Sequence, residues 1–66
     1  MRVTANNEIT DLPEKSTLAD LVAIMDEKLQ YGDRGMCVLN GVLCVNNNIP
    51  LKESDVVSYF PTLEGG

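Results

Sequence analysis

The N-terminal residues alternate between polar and apolar side chains in the pattern of a β-hairpin. Residues 1–5 place β-branched side chains next to each other, and residues 8–12 alternate with the period of a strand. Asn6 and Asn7 lie between them, and asparagine tolerates the left-handed backbone of a tight turn. We therefore predict an N-terminal hairpin whose second strand ends at residues 13–15.

After residue 16 the apolar side chains recur at the period of an α-helix. They form one stripe: Leu18, Leu21, Val22, Met25 and Leu29. The charged side chains lie mostly off this stripe, as on a solvated face: Asp20, Asp26, Glu27 and Lys28. Thr17 is the predicted N-cap, with Asp20 completing an approximate capping box, and Ser16 is the alternative cap. We predict one helix over about residues 17–30, with Gly32 as its C-terminal stop.

A second hairpin is indicated by Asn40-Gly41, the dipeptide that most strongly favours a two-residue type I′ turn. Apolar residues 36–39 and 42–45 flank this turn as two strands. A two-residue loop pairs Leu39 with Val42 and Cys37 with Cys44. Both faces of this hairpin are apolar, where a solvated face would normally be polar.

The pairing predicted for Cys37 and Cys44 makes their sulfurs cross-strand neighbours. A disulfide or a reactive thiol pair is one interpretation. Free cysteine is also a common small core residue, and disulfides are rare in reducing compartments. We therefore predict that both cysteines have a structural role.

The C-terminal part of the chain predicts one further strand. Residues 46–48 are a polar loop, residues 49–51 cross the molecule with a possible short element, and residues 52–55 are typical of a turn. Residues 55–60 form a strand that stops at or just before Pro61, because proline cannot donate to a sheet ladder. The predicted fold class is an α+β roll, a mixed sheet of four to five strands with one helix across it. Its domain spans residues 1–60, and residues 61–66 form a flexible tail.

Composition excludes several classes of function. Ten acidic residues against five basic ones give a net charge of −5, so we expect no nucleic-acid partner. The sequence has no histidine, and two cysteines alone make a poor zinc site, so we expect neither a metal site nor an autonomous enzyme. No apolar run is long enough to cross a bilayer and no signal peptide is evident, so we expect a cytoplasmic protein without a membrane partner.

The sequence ends in Gly65-Gly66, two residues without a Cβ. A frayed terminus is one interpretation, because chain ends are commonly disordered. The alternative is a tail that is presented to a partner, since two glycines let a backbone enter a channel too narrow for side chains.

These segments together resemble the ThiS/MoaD family of ubiquitin-like sulfur carriers, which has the β-grasp fold. The resemblance covers nearly the whole chain. The front half, residues 1–21, is most similar to the thiamine-pathway carrier, and residues 38–41 and 51–57 match the family's third-strand turn and last turn. The end, Phe-Pro-Thr-Leu-Glu-Gly-Gly at residues 60–66, resembles the small subunit of molybdopterin synthase.

The sequence departs from the family pattern at several positions. Family members often have Asn-Gly where this chain has Asn6-Asn7, and usually have glycine at the position of Ser54. Residues 46–50 replace a Val-Pro-Arg and tryptophan segment of the thiamine-pathway carriers. The chain is also shorter than most molybdopterin-synthase small subunits.

The resemblance implies a sulfur carrier rather than an enzyme. An E1-like adenylyltransferase would adenylate Gly66 with its own ATP and Mg²⁺, so that this chain binds no cofactor. Sulfur from a persulfide donor would then give a C-terminal thiocarboxylate. The acceptor would be thiazole synthase or the large molybdopterin-synthase subunit, with the thiamine pathway favoured.

In that mechanism Gly65 would give the tail access. Both faces of the central hairpin are apolar, so Leu39, Val42 and Phe60 are candidate docking residues. Core packing is the alternative for each of the three, and it is the favoured one for Leu39 and Val42. Leu63 is expected to enter a groove of the partner, because an apolar residue in the tail has little core left to join.

Two other hypotheses stay open. In the first, the chain is a ubiquitin-like modifier that is conjugated through Gly66 to lysines. In the second, it is a binding module whose tail only fills a site on a partner.

Overall fold

The computed structural model describes residues 1–62. In these residues five strands form one sheet, and one α-helix packs against it as a second layer. The strands are β1 (Arg2–Ala5), β2 (Glu8–Asp11), β3 (Gly35–Leu39), β4 (Val42–Cys44) and β5 (Val56–Pro61). The α-helix is α1 (Leu18–Leu29), and a short 3₁₀ helix follows it at Gly32–Arg34. None of the helices in this described part is long and apolar enough to cross a membrane.

The strands form one mixed sheet in the order β2-β1-β5-β3-β4. The last strand along the chain, β5, is therefore the middle strand of the sheet. It runs parallel to β1 and antiparallel to β3, while each hairpin is antiparallel. The predicted α+β roll is confirmed, with five strands.

Both predicted hairpins are present, with the turns that their asparagines indicated. Asn6 and Asn7 have φ angles of 49° and 69°, and Asn40 and Gly41 have φ angles of 50° and 86°. Positive φ at both central residues is the requirement of a type I′ turn. In the second hairpin Leu39 pairs with Val42 and Cys37 with Cys44, as predicted.

The helix begins with the predicted capping box. The Asp20 amide donates to Thr17 Oγ1 at 3.3 Å, and the Thr17 amide donates to the Asp20 carboxylate at 2.9 Å. Ser16 is not the cap, because its hydroxyl donates to the carbonyl of Pro13 at 2.7 Å.

The helix ends near residue 30, as predicted, but Gly32 is not the residue that stops it. Gln30, not Gly32, takes the left-handed conformation at the C-cap, with φ 56°, and Gly32 begins the 3₁₀ helix instead. The Asp26 carboxylate stabilises this ending by accepting hydrogen bonds from the amides of Tyr31 and Gly32.

The core lies between α1 and one face of the sheet. Its buried apolar residues are Val3, Ala5, Leu12, Leu18, Leu21, Cys37, Leu51, Val57 and Tyr59. Val22 and Met25 pack against this cluster, as the helical stripe predicted. Leu29, the last residue of the stripe, is exposed instead, because it lies at the end of the helix.

The crossing segment before β5 closes the end of the core near the start of α1. The carbonyls of Ile49 and Asn47 accept hydrogen bonds from the amides of Leu18 and Ala19, each at 2.8 Å. They therefore satisfy two of the amides that the first turn of any helix leaves without an intrahelical partner. The short element predicted here is an isolated bridge between Thr17 and Pro50, not a strand.

The body also extends slightly beyond the predicted boundary at residue 60. Pro61 is the last residue of β5 and pairs with Gly35. Thr62 is held to the body as well, because its amide donates to the carbonyl of Arg34 at 2.7 Å.

Candidate functional site at the end of the central strand

The C-terminal half of β5 extends past the end of β1, and a side chain replaces the missing strand. Asn6 Oδ1 accepts a hydrogen bond from the Tyr59 amide at 2.7 Å, and Asn6 Nδ2 donates to the Tyr59 carbonyl at 3.0 Å. The Asn6 carboxamide therefore pairs with β5 as the next residue of a neighbouring strand would. This contact holds the central strand in place where β1 stops.

The other side of β5 is fixed by β3 and the loop before it. Beyond the pair of Gly35 and Pro61, both the amide and the hydroxyl of Thr62 donate to the carbonyl of Arg34, at 2.7 and 3.0 Å. The chain is thus hydrogen-bonded to the body up to its last described residue. The predicted tail residues Leu63, Gly65 and Gly66 lie outside the described residues.

Beneath the end of β5, Tyr59 connects the strand to the helix. Its hydroxyl donates to Asp26 Oδ1 at 3.0 Å, and its ring lies 5.2 Å from the ring of Tyr31 at a tilt of 46°. A Cβ at Gly35 would overlap the ring and hydroxyl of Tyr59, so any other residue at Gly35 would displace the ring. Asp26, expected on the solvated face of α1, is therefore part of the contact between helix and sheet.

This contact shifts the pKa of the Tyr59 phenol and of the Asp26 carboxyl. Burial raises the pKa of the Tyr59 phenol to about 12, and the hydrogen bond to Asp26 and the charge of that carboxylate act in the same direction. Desolvation opposes ionisation of Asp26, but the hydrogen bonds from Gly32, Tyr59 and Tyr31 outweigh it and lower the pKa of the carboxyl. At neutral pH the Tyr59 phenol is neutral and donates its hydrogen bond to the ionised Asp26 carboxylate. This pair anchors β5, and neither group is in a reactive ionisation state.

The outer face of the sheet, opposite α1, carries apolar side chains next to the end of β5. Phe60 is 39% exposed and pairs with Met36 on β3. Val38 and Leu43 pair with each other on this face, because Val38 follows the buried Cys37 on β3 and Leu43 precedes Cys44, the partner of Cys37, on β4. We call the set Met36, Val38, Leu43, Val56 and Phe60 the outer apolar face.

The predicted docking residues do not all lie on this face. Leu39 pairs with the buried Val57, so it lies on the helix side of the sheet and packs against the core. Val42 pairs with Leu39 and lies on that same side, although it is exposed. Phe60 alone of these three is on the outer apolar face. Side chains alternate between the two faces of the sheet along β3. Had Cys37 been recognised as buried, this alternation would have placed Leu39 on the helix side and Val38 on the outer side.

The two cysteines are free thiols in the structure. Cys37 is buried in the core, and Cys44 is partly exposed on the neighbouring strand. Burial raises the pKa of the Cys37 thiol, and the neighbouring Cys44 adds to the effect. A thiol with a raised pKa is a poor nucleophile, which agrees with the structural role predicted for this residue.

We also searched the described residues for a groove and for a metal site. A groove of about 290 Å³ lies between α1 and the N-terminal hairpin, where Ile24, Met25 and Leu29 face Thr10. Residues 1–62 contain no group of three or more acidic or cysteine side chains arranged to hold a metal ion.

The comparisons with known proteins agree with this architecture. No protein-family model and no curated protein matches the sequence. A comparison with solved structures shows that the chain shares the β-grasp fold of a small biosynthetic protein over the whole length of both chains. This protein is the thiamine biosynthesis protein ThiS from Geobacter metallireducens, whose crystal structure is known. It is 18% identical, with 100% of each chain covered and a TM-score of 0.79. The predicted β-grasp fold is confirmed.

Proposed function

We propose that this protein is a sulfur carrier whose reactive group is the α-carboxylate of Gly66. The observation that carries the proposal is the position of the Gly-Gly sequence. It follows the central strand of a β-grasp domain within five residues of Pro61, and a thiamine biosynthesis protein shares this fold over its whole length.

The chemistry requires activation by another protein. An α-carboxylate is ionised at neutral pH and is a poor electrophile. Adenylation by an E1-like enzyme with ATP and Mg²⁺ would join Gly66 to AMP and release pyrophosphate. The terminal sulfur of a persulfide would attack the acyl carbon and displace AMP, and a thiol would then reduce the resulting acyl disulfide to a thiocarboxylate. The nucleotide and the metal belong to the partner.

The residues of this chain would contribute position and access. Asn6 and Thr62 hold the strand to the body through the contacts described above. From Thr62, residues 63–66 could reach at most about 14 Å when fully extended. Gly65 and Gly66 would let the backbone enter an active site between closely spaced walls, because neither carries a Cβ.

The outer apolar face would provide the docking surface for the partner enzymes. Phe60 lies on that face at the base of the tail, and Leu63 is proposed to enter a groove of the partner. The thiazole branch of thiamine biosynthesis is the favoured acceptor pathway, because the similar solved structure is a thiamine biosynthesis protein. We also propose that the carrier acts in the cytoplasm, where ATP is available to the adenylating enzyme.

Intact-mass analysis of untagged protein recovered from its native host tests the proposal. We expect a chain that ends at Gly66 and a fraction whose mass is increased by the exchange of one oxygen for sulfur. A variant lacking Gly66 is the matched control and should lack this fraction.

The other outcomes contradict the proposal and identify the alternatives. Adducts in which Gly66 is linked to lysine side chains would show a protein modifier. A terminus that stays unmodified under sulfur limitation and sulfur excess would show a binding module whose tail only fills a partner.

A further inference from the structure

The two edge strands of the sheet, β2 and β4, differ in how they are protected against pairing with a strand of another molecule. At one edge, β2 carries a charged residue at each end, Glu8 and Asp11. At the other edge, β4 lies within residues 35–51, a stretch without a single charged residue in a chain with a net charge of −5. Proteins usually protect an edge strand with charged side chains, because its open backbone groups pair readily with another strand. The β4 edge lacks this protection.

The register shows which backbone groups the β4 edge presents. Leu39 pairs with Val42 next to the two-residue turn, and Val38 pairs with Leu43 one position further along. In an antiparallel hairpin, hydrogen-bonded pairs alternate with pairs whose amides and carbonyls point away from each other. The amide and the carbonyl of Leu43 therefore point to the open side of β4, where the described residues supply no further strand.

The side chains around this open backbone are apolar and exposed. Leu43 is 50% exposed and Val45, just after the strand, is 94% exposed. Val42 is also mostly exposed. These side chains would gain contacts if a second strand were added at this edge, since neighbouring strands lie about 4.8 Å apart.

We propose that the β4 edge pairs with the β4 edge of a second copy of this chain. An antiparallel pair centred on Leu43 is symmetric, so that each Leu43 exchanges two hydrogen bonds with its counterpart. Val42 of one copy then lies opposite Cys44 of the other. Both sheets would continue into one sheet across the two copies.

Charge favours a second copy at this edge over the opposite edge of the sheet. Two chains of net charge −5 repel each other wherever their acidic side chains meet. A pair of β2 edges would bring Glu8 and Asp11 of the two copies together. The uncharged β4 edge lets the backbones approach while the acidic residues stay apart.

The contact is small, because β4 has three residues. Contacts of this size are weak and transient, so the dimer forms at high protein concentration. The contact also leaves the end of β5 uncovered, because β3 lies between β4 and β5.

Sedimentation equilibrium over a concentration series tests the proposal. We expect the mass to rise from 7.2 kDa towards twice that value, with half dimer by about 1 mM. Added salt should strengthen the association, because it screens the repulsion between two acidic chains.

The hairpins provide a matched pair of variants. Ile9 occupies the same position in the first hairpin as Leu43 in the second and is 71% exposed. Leu43→Lys should raise the dissociation constant by more than about tenfold, because two lysines would face each other at the contact. Ile9→Lys should leave it unchanged.

Val45→Lys is a second test in case Leu43→Lys affects folding, since Val45 is almost fully exposed. Amide hydrogen exchange at Leu43 should slow as the protein concentration rises. A wild-type chain that stays monomeric at about 1 mM, or a dimer that survives both Leu43→Lys and Val45→Lys, would overturn the proposal. Equal effects of Ile9→Lys and Leu43→Lys would overturn it as well.

Discussion

At the scale of single residues, Asp26 has more contacts than its position in the sequence indicates. Its carboxylate accepts hydrogen bonds from the Tyr59 hydroxyl and from the amides of Tyr31 and Gly32. One side chain thereby ends the helix and joins it to the central strand. Helical periodicity could not predict this, because it separates apolar from polar positions but does not show which polar residue has a partner.

The first prediction concerns the Tyr59 hydroxyl. A tyrosine in the unfolded chain ionises near pH 10, whereas Tyr59 in the folded protein stays neutral up to about pH 12. The stabilisation linked to this difference is present below pH 10 and is lost as the pH rises towards 12. The two pKa values correspond to about 2–3 kcal/mol of stability across this range.

We therefore expect Tyr59→Phe to be less stable at neutral pH by about 1.5 kcal/mol, because it loses a hydrogen bond to a carboxylate. It should also lose much less stability than the wild type as the pH rises above 10. Denaturant unfolding at a series of alkaline pH values measures both effects. Tyr31→Phe is the control and should retain the alkaline loss. An unchanged alkaline loss in Tyr59→Phe would show that another group is responsible.

At the scale of secondary-structure elements, the local signals in the sequence predicted most of what the structure contains. Both hairpins, their register and the capping box follow from residues close to each other in the chain. The end of the helix near residue 30 was predicted correctly, but the stop at Gly32 was wrong, because Gln30 adopts the left-handed conformation that glycine usually takes. The order of the strands was not predicted, since β1 and β5 are distant in the sequence and no local pattern shows their pairing.

The sequence did not separate the two faces of β3. Leu39 and Phe60 were both candidate docking residues, with core packing favoured for Leu39, and the structure has them on opposite sides of the sheet with Leu39 against the core. Both faces of this hairpin are apolar, so hydrophobicity alone cannot show which face is buried. The roles of Gly65 and Gly66 were proposed from the resemblance to a family, and that of Leu63 from its apolar side chain in the tail. All three roles stay predictions.

The turn before β5 leads to the second prediction. Ser54 has a φ of 72°, and its amide donates to the Arg2 carbonyl at 2.8 Å. A left-handed conformation costs a residue with a Cβ about 1–2 kcal/mol, and glycine avoids this cost while keeping the amide. Ser54→Gly should therefore stabilise the protein by about 1 kcal/mol and raise Tm by about 4–8 °C.

Asn7→Gly is the matched control, because Asn7 has a similar φ of 69° in the first turn. Asparagine tolerates this conformation better than serine, so the gain should stay below about 0.5 kcal/mol. Thermal unfolding followed by circular dichroism compares the two variants. A loss of stability in Ser54→Gly would mean that the serine side chain contributes more than its backbone strain costs.

At the scale of the whole molecule, β5 joins the two hairpins into one sheet. In residues 1–62 the N-terminal hairpin and the second hairpin meet through β5, which pairs with β1 on one side and β3 on the other. Val57 and Tyr59 of this strand are also buried in the core. The body therefore depends on β5, whereas the proposed chemistry depends on the residues that follow it.

Two truncations separate these contributions. A chain of residues 1–55 should show no cooperative thermal unfolding, because it lacks the strand that joins the hairpins. A chain of residues 1–64 should unfold at the wild-type temperature, since it keeps all five strands of the described residues and lacks only Gly65 and Gly66. A marked fall in Tm for the longer chain would show that the two glycines stabilise the fold.

The central position of β5 also determines when this protein can fold during its synthesis. The ribosome makes the chain from the N-terminus at about 5–20 residues per second, so both hairpins can form before β5 exists. The sheet closes only after Val56–Pro61 has been made and inserted between them. Shorter nascent chains expose the core face of both hairpins, a target for chaperones and proteases. If the proposed adenylating enzyme recognises the closed sheet, it would therefore act only on chains whose synthesis has passed β5.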